Sequence, residues 1–207
     1  MLARLISGSL KFRKQSIPVV LVNNYLDMDG LVCISADHYG GAVQATEYLC
    51  KLGHCKIGLL SGRFSPQVSE ARIEGFVKTL AKYDIPVDDR FIADIEPALE
   101  DGEEIMTRML REVDRPTAFF CTNDTIAAGA MKAVTRAGLR VPEDIAIIGF
   151  DDSYISRVVE PELTTVRIDA AKMGCLAMQT LFDLIAGMPV EKAHIQIPTE
   201  LIVRGTA

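Results

Sequence analysis

The sequence predicts an α/β protein built on parallel β-sheet. Two strand-length apolar runs, Thr117 to Cys121 and Ile145 to Phe150, flank a stretch in which Ile126, Ala130, Ala133, Val134 and Ala137 recur at helical spacing. Gly138 and then Pro142 stop that helix before the second run begins. The same alternation of strand and helix runs from Tyr39 to Phe150, the signature of a parallel sheet with right-handed crossovers. Both strand-like runs end in polar residues, Asn123 and Asp124 after the first, Asp151 and Asp152 after the second. Open parallel sheets bind ligands outside the carboxyl ends of their strands, so a site is expected there.

The elements follow in order. Met1 to Gln15 is weakly helical at best, interrupted by Gly8, and Ile17 to Val22 is a buried strand ended by Asn23-Asn24. Leu31 to Ile34 is a second short strand. A helix opens around Asp37, carries Val43, Tyr48, Leu49 and Leu52 on its apolar side, and stops at Gly53. Lys56 to Leu60 is a strand, and the loop Ser61 to Pro66 leads to a helix with Ile73, Phe76, Val77 and Leu80 on one face and Arg72 near its start. Phe91 to Ile95 is a strand, Pro97 to Asp101 a loop, and Ile105, Met106, Met109 and Leu110 mark the next helix. Beyond Asp152 come a strand over Leu163 to Ile168 and a helix with Met173, Leu176, Ala177, Thr180, Leu181 and Leu184 at 3.6-residue spacing, closed by Gly187 and Pro189. The tail from Ile195 to Val203 alternates apolar and polar residues, as a half-buried or edge strand does.

The chain has 207 residues, ample for a buried core, with 49% apolar and 24% charged residues. A formal net charge of −6 gives no global attraction to nucleic acid or anionic membrane, and no apolar run approaches the length of a membrane span. The five cysteines lack paired spacing and point to free thiols in a reducing cytoplasm, and the basic N-terminal stretch lacks the apolar core and cleavage site of a signal peptide. His38, His54 and His194 are too far apart for metal-ligand spacing, so no metal site is expected. There is no Walker loop, no Gly-x-Gly-x-x-Gly and no Gly-x-Ser-x-Gly elbow, so no cofactor is expected. Asp151 and Asp152 are adjacent on one strand, point to opposite faces, and do not make a catalytic pair.

Six blocks then appear in a fixed order. They are Leu52-Gly53-His54 with Ile57 to Gly62, and Arg72-Ile73-Glu74-Gly75-Phe76. Pro116-Thr117-Ala118 through Asn123-Asp124, Gly138 to Asp144, Gly149-Phe150-Asp151-Asp152, and Pro161 to Val166 complete the set. Over roughly residues 17 to 205 this resembles the lac/gal-repressor (LacI/GalR) transcription regulators, whose effector core is similar to periplasmic sugar-binding proteins. The resemblance implies a periplasmic-binding-protein-like fold of two Rossmann-like subdomains, with a small-molecule effector in the cleft between them. It assigns residues 1–34 and 163–190 to the N-terminal subdomain and residues 35–162 and 191–207 to the C-terminal one. Such regulators begin with a helix-turn-helix domain, a hinge helix and the first β-α repeats, whereas this chain begins just before the strand Ile17 to Val22. The N-terminal subdomain is therefore expected to be incomplete, and operator DNA to be reached only through a helix-turn-helix domain absent from this chain.

The chemistry of the candidate ligand-binding residues fits that implication. Arg72 presents five donors in a fixed fork, suited to vicinal hydroxyls or a carboxylate; a surface arginine is the plainer alternative, and the Arg-x-x-Gly-Phe block favours a ligand role. Asp151, ionised, only accepts, as hydroxyl donors require; its alternative is a turn residue, a task Asp152 performs equally well. Asn123 both donates and accepts, and capping the helix after it is an equal claim on it. Asn23 resembles a ligand-facing position of the N-terminal subdomain. Phe64, Pro97 and Ile34 are candidate apolar walls, each equally readable as packing. Alanine at Arg72 or Asp151 is expected to leave folding nearly unchanged.

Taken together, the sequence points to the effector-binding and dimerisation core of a cytoplasmic repressor that senses a sugar or related metabolite and forms a homodimer. A solute-binding protein of a transport system is the alternative, and an enzyme on the same fold is disfavoured because no catalytic constellation is found.

Overall fold

The computed structural model describes residues 17–24, 31–190 and 192–207. The expectation for Met1 to Gln15 lies outside them. The chain divides into two compact units, a larger one of His38–Ile168 with Thr199–Ala207, and a smaller one that runs to Asp37 and resumes over Asp169–Pro198.

In chain order the strands are β1 (Val20–Val22), β2 (Val32–Ala36), β3 (Ile57–Gly62), β4 (Ile92–Ile95), β5 (Ala118–Cys121), β6 (Ala146–Asp151), β7 (Thr164–Arg167), β8 (His194–Ile197) and β9 (Glu200–Ile202). The helices are α1 (His38–Lys51), α2 (Pro66–Lys82), α3 (Leu99–Met109), α4 (Asp124–Arg136) and α5 (Ala170–Ile185). Short 3-10 turns cover Asp89–Phe91 and Tyr154–Arg157.

The larger unit holds a six-stranded sheet in the order β4-β3-β5-β6-β7-β9. All its pairs are parallel except β7 with β9. Period-two alternation sorts the strand side chains into two cores. Leu60, Phe119, Cys121 and Ile147 pack with Ile105, Met106, Ile126 and Ala130 of α3 and α4. Leu59, Phe120, Ile148 and Phe150 pack on the other face with Ala42, Leu49, Phe76 and Leu80 of α1 and α2. Two glycines permit the close crossing of α3 and α4. A methyl group on Gly129 would meet the Leu99 carbonyl oxygen, and one on Gly102 the Ile126 carbonyl oxygen.

The smaller unit holds the parallel sheet β1-β2-β8, with α5 packed on β1 and β2. Ile17 is 45% exposed and stands before β1, so the strand is shorter than the run Ile17 to Val22. Pro18, with no N–H to give to a ladder, accounts for the late start.

Two strands lie elsewhere than the sequence assigns them. The segment 163–190 was assigned to the smaller subdomain, but its strand β7 pairs with β6 and β9 in the larger sheet. Leu163 and Val166 are fully buried in the two cores of that unit, which is what fixes the strand there. The tail is not one strand but two: β8 pairs with β2 in the smaller sheet, and β9 with β7 in the larger. Pro198 separates them and cannot continue the ladder of β8.

Candidate functional site

The carboxyl ends of β3, β5 and β6 gather the polar residues of the larger unit. Arg72, in the second turn of α2, is 2% exposed. A buried guanidinium needs acceptors for its donors, and three protein groups supply them. Nη1 donates to the Thr122 carbonyl oxygen at the end of β5. Nη2 donates to Asp151 Oδ1 at 3.3 Å, and both Nε and Nη2 donate to His38 Nδ1, at 3.4 and 3.2 Å. The guanidinium Cζ lies 3.8 Å from the centre of the Phe150 ring and 5.0 Å from that of the half-buried Phe64. Cation–π attraction from both rings therefore adds to the hydrogen bonds that fix it.

These partners define protonation states. Burial, then the charge of Arg72, pushes the His38 pKa down to about 3. The imidazole is neutral, and because Arg72 only donates, Nδ1 is the acceptor and Nε2 carries the hydrogen. Burial raises the Asp151 carboxyl to about 6; Arg72 opposes the rise and Asp124 adds to it. Asp124 is 1% exposed and also raised by burial, opposed by hydrogen bonds from Thr165 Oγ1 at 2.5 Å and the Ser153 N–H at 2.6 Å.

Asp152 belongs to a different network. Its carboxylate accepts from Arg204 Nη2 at 2.5 Å, Arg167 Nε at 2.8 Å, Arg157 Nη2 at 3.4 Å and Ser156 Oγ at 3.2 Å. Burial favours its protonated form, but these donors outweigh it and hold the pKa at about 2. Its side chain is 3% exposed, against 37% for Asp151. Of the two, Asp151 is the one whose carboxylate is exposed to an incoming molecule.

Asn123 performs the capping role: its Oδ1 accepts from the Ile126 N–H at 2.8 Å at the start of α4. The amide Nδ2 is not used by the cap. Pro97 is half-buried in the loop after β4, two residues past Ile95, whose carbonyl takes the Arg63 N–H at 2.8 Å. Asn23 ends β1 in the left-handed region at φ 53° and donates its N–H to Ile34 at 2.7 Å. Ile34 has no exposed surface, being the middle of β2 between β1 and β8, so it is packing and not a ligand wall.

The structure thus brings Arg72, Asp151 and Phe64 together, with Asn123 next to the Thr122 carbonyl that Arg72 grips. Sequence reasoning missed His38, Phe150 and the Thr122 carbonyl. Phe150 stands inside the Gly149-Phe150-Asp151-Asp152 block and was open to being found there; a lone histidine opening a helix gives no such signal. The burial of Arg72 argues against the expectation that alanine there leaves folding nearly unchanged. Among the described residues no group of His, Cys, Asp and Glu is arranged to hold a metal ion, and no helix is long and apolar enough to cross a membrane.

A family described as the periplasmic binding protein-like domain matches residues 46–207. A regulatory protein of the LacI family from Chloroflexus aggregans superposes with a TM-score of 0.89 at 31% identity, over 96% of this chain and 71% of that one. The chain belongs to the LacI family. Its relatives include the HTH-type transcriptional repressor PurR of Pasteurella multocida, 36% identical over 191 residues, which are 91% of this LacI-family chain and 57% of the repressor. The chain therefore spans somewhat over half the length of that relative. The transcriptional regulator CelR, solved as a cellobiose complex, superposes with a TM-score of 0.87 at 26% identity, over 95% of this chain and 61% of that one. These relatives are transcription regulators and not enzymes, and the likeness favours a regulator core over a transport component.

Proposed function

We propose that this LacI-family chain is the effector-binding core of a transcription repressor and that its effector is a small sugar or related metabolite. The observation that carries the reading is the Arg72–Asp151 pair at the carboxyl ends of the strands, with an exposed carboxylate on a buried, fixed arginine. Asp151 accepts ligand hydroxyls, the Asn123 amide donates to a ligand oxygen, and Phe64 supplies apolar surface, with Pro97 as a further lining residue. CelR, a structural relative, is solved with cellobiose, which supports a sugar as the ligand class. The effector acts by binding one conformation of the whole regulator better than another, and so shifts the population that binds operator DNA. Operator binding belongs to a helix-turn-helix domain of the whole protein and not to these residues; the regulator works as a homodimer in the cytoplasm.

A thermal-shift screen of the chain against neutral sugars, sugar acids, sugar phosphates and nucleosides tests the reading. A ligand that raises Tm with the wild-type chain and not with Asp151→Ala is the expected result; stabilisation by no compound, or equal stabilisation of the variant, counts against it.

A further inference from the structure

We infer that α5 is an interaction surface and that its occupant is the α5 of a second copy of this chain, laid against it antiparallel. The inference is independent of effector binding. On its inner side α5 buries Met173, Ala177 and Thr180 against β1 and β2. Its outer side is apolar as well. Met178, Phe182, Ile185 and the following Met188 keep 50 to 63% of their surface exposed, and Ala171 and Cys175 are exposed beside them. Only Lys172 and Asp183 are charged among its 16 residues. A helix that faces water on its outer side ordinarily turns charge there.

Ala171, Cys175, Met178, Phe182 and Ile185 recur in alternating steps of four and three. That is the spacing of a two-helix seam, in which each apolar residue fits between residues of the facing helix. Charge selects the occupant and its direction. Lys172 stands near the N-terminal end of α5 and Asp183 near the C-terminal end, each at the end of the helix dipole that repels it, and no basic residue lies in the last turn. A parallel copy sets like charges side by side. An antiparallel copy brings Lys172 to the C-terminal end of the second helix, and Asp183 to the half of it that carries Lys172. In the register that aligns the two stripes, Met178 lies level with Phe182 of the second copy, a favourable sulfur–aromatic pair made twice. Gly174 lies level with Ala186 of the second copy. A methyl group on Gly174 would meet nothing within 4 Å, so nothing inside the molecule calls for a glycine that weakens the helix. Close approach of a second helix does call for it, as at the crossing of α3 and α4.

The test is light scattering, after size exclusion, of the 207-residue chain and of Phe182→Glu, loaded at up to about 300 μM so that micromolar association is filled. The expected result is a wild-type particle of double the mass of the variant. Equal masses overturn the inference. Equal dimers place the homodimer on another surface and leave that reading and the effector reading standing. Equal monomers whose mass rises when residues 1–16 are deleted put this chain's own N-terminal stretch on α5. Direction is read by disulfide cross-linking, since Cys33, Cys50 and Cys121 are buried. Gln179, close to the two-fold axis, faces its own counterpart, so Gln179→Cys with Cys55→Ser and Cys175→Ser is expected to cross-link on mild oxidation. Cys175 with Cys55→Ser alone is not, because the antiparallel register holds the two Cys175 residues about 15 Å apart along the axis. Cross-linking through Cys175 and not through Gln179→Cys overturns the antiparallel arrangement. Cross-linking does not depend on Phe182→Glu, so a misfolded variant, seen by circular dichroism, leaves the inference open to refutation by absence of any cross-linked dimer.

Discussion

Asp151 and Asp152 share a peptide bond and hold their carboxylates in opposite surroundings. The first faces one arginine and keeps 37% of its side-chain surface, while the second is gripped by three arginines and keeps 3%. Both take positive φ, 110° and 50°, so the strand end is bent at two successive residues. One carboxylate is presented and the other is locked.

Asp152 is therefore a stability residue. Asp152→Ala leaves Arg204, 12% exposed, without its closest acid and is expected to cost about 3 kcal/mol, the scale for breaking a buried pair. The sign with pH follows from a folded pKa of about 2 against an ordinary 3.8. The contribution is present above about pH 4 and is lost as pH falls through 2. Urea titrations of both proteins at pH 7 and in acid measure the gap, which should close on acidification.

Asp151 behaves in the opposite sense. Its carboxyl is raised to about 6, so it favours the fold below its ordinary value of 3.8, and that contribution is lost as pH rises through 6. Effector binding needs the ionised form and is expected to weaken by up to about tenfold per unit as pH drops below 6. Calorimetry between pH 5 and 8 checks this, and Asp151→Asn should flatten the profile.

Arg72→Ala is expected to destabilise the chain by about 3 kcal/mol, since it leaves buried acceptors unpaired and empties the space between Phe64 and Phe150. Arg72→Lys keeps the charge but not the fork and should recover only part of that loss. Chemical denaturation distinguishes the two variants, and a wild-type midpoint for Arg72→Ala would contradict the buried network.

The two roles of Asn123 are separable. Asn123→Ala loses the cap and should cost about 1 kcal/mol. Asn123→Asp keeps an acceptor for the Ile126 N–H and should hold stability within about 0.5 kcal/mol, yet remove the amide donor and weaken effector binding. Measuring Tm and ligand affinity on both variants resolves them.

At the crossing of α3 and α4, Gly129→Ala drives a methyl group into backbone, which cannot rotate away. A loss of about 2 kcal/mol or more is expected in urea denaturation.

Much of this was legible in the sequence because period and punctuation carried it. The apolar runs at Thr117 and Ile145, the helical spacing between them and the stop at Gly138 map onto β5, α4 and β6. Arg72 and Asp151 stood out as candidates because their blocks set them near a helix start and a strand end, and the structure brings them to one place. What failed was partnership between distant segments. Nothing local in Leu163 to Ile168 states which sheet it joins; that is decided by Leu163 and Val166 finding two separate cores. Alternation through Ile195 to Val203 looks continuous, although Pro198 divides it. The burial of Arg72 was equally hidden, because it depends on His38, Phe150 and the Thr122 carbonyl, which lie 34, 78 and 50 positions away.

The strand β9 has a consequence for the order in which the molecule is made. It pairs with β7, and just after it the Thr206 hydroxyl accepts from the Thr164 N–H at 2.9 Å and donates to the Ile147 carbonyl at 2.7 Å. A chain leaving the ribosome N-terminus first exposes β3 to β7 well before these residues emerge. Until then the outer side of β7 is an open ladder next to a buried core, a surface that neighbouring nascent chains on the same messenger can join. A stretch made well after β7 is the one that closes that edge, and deleting residues 200–207 should send the product to inclusion bodies.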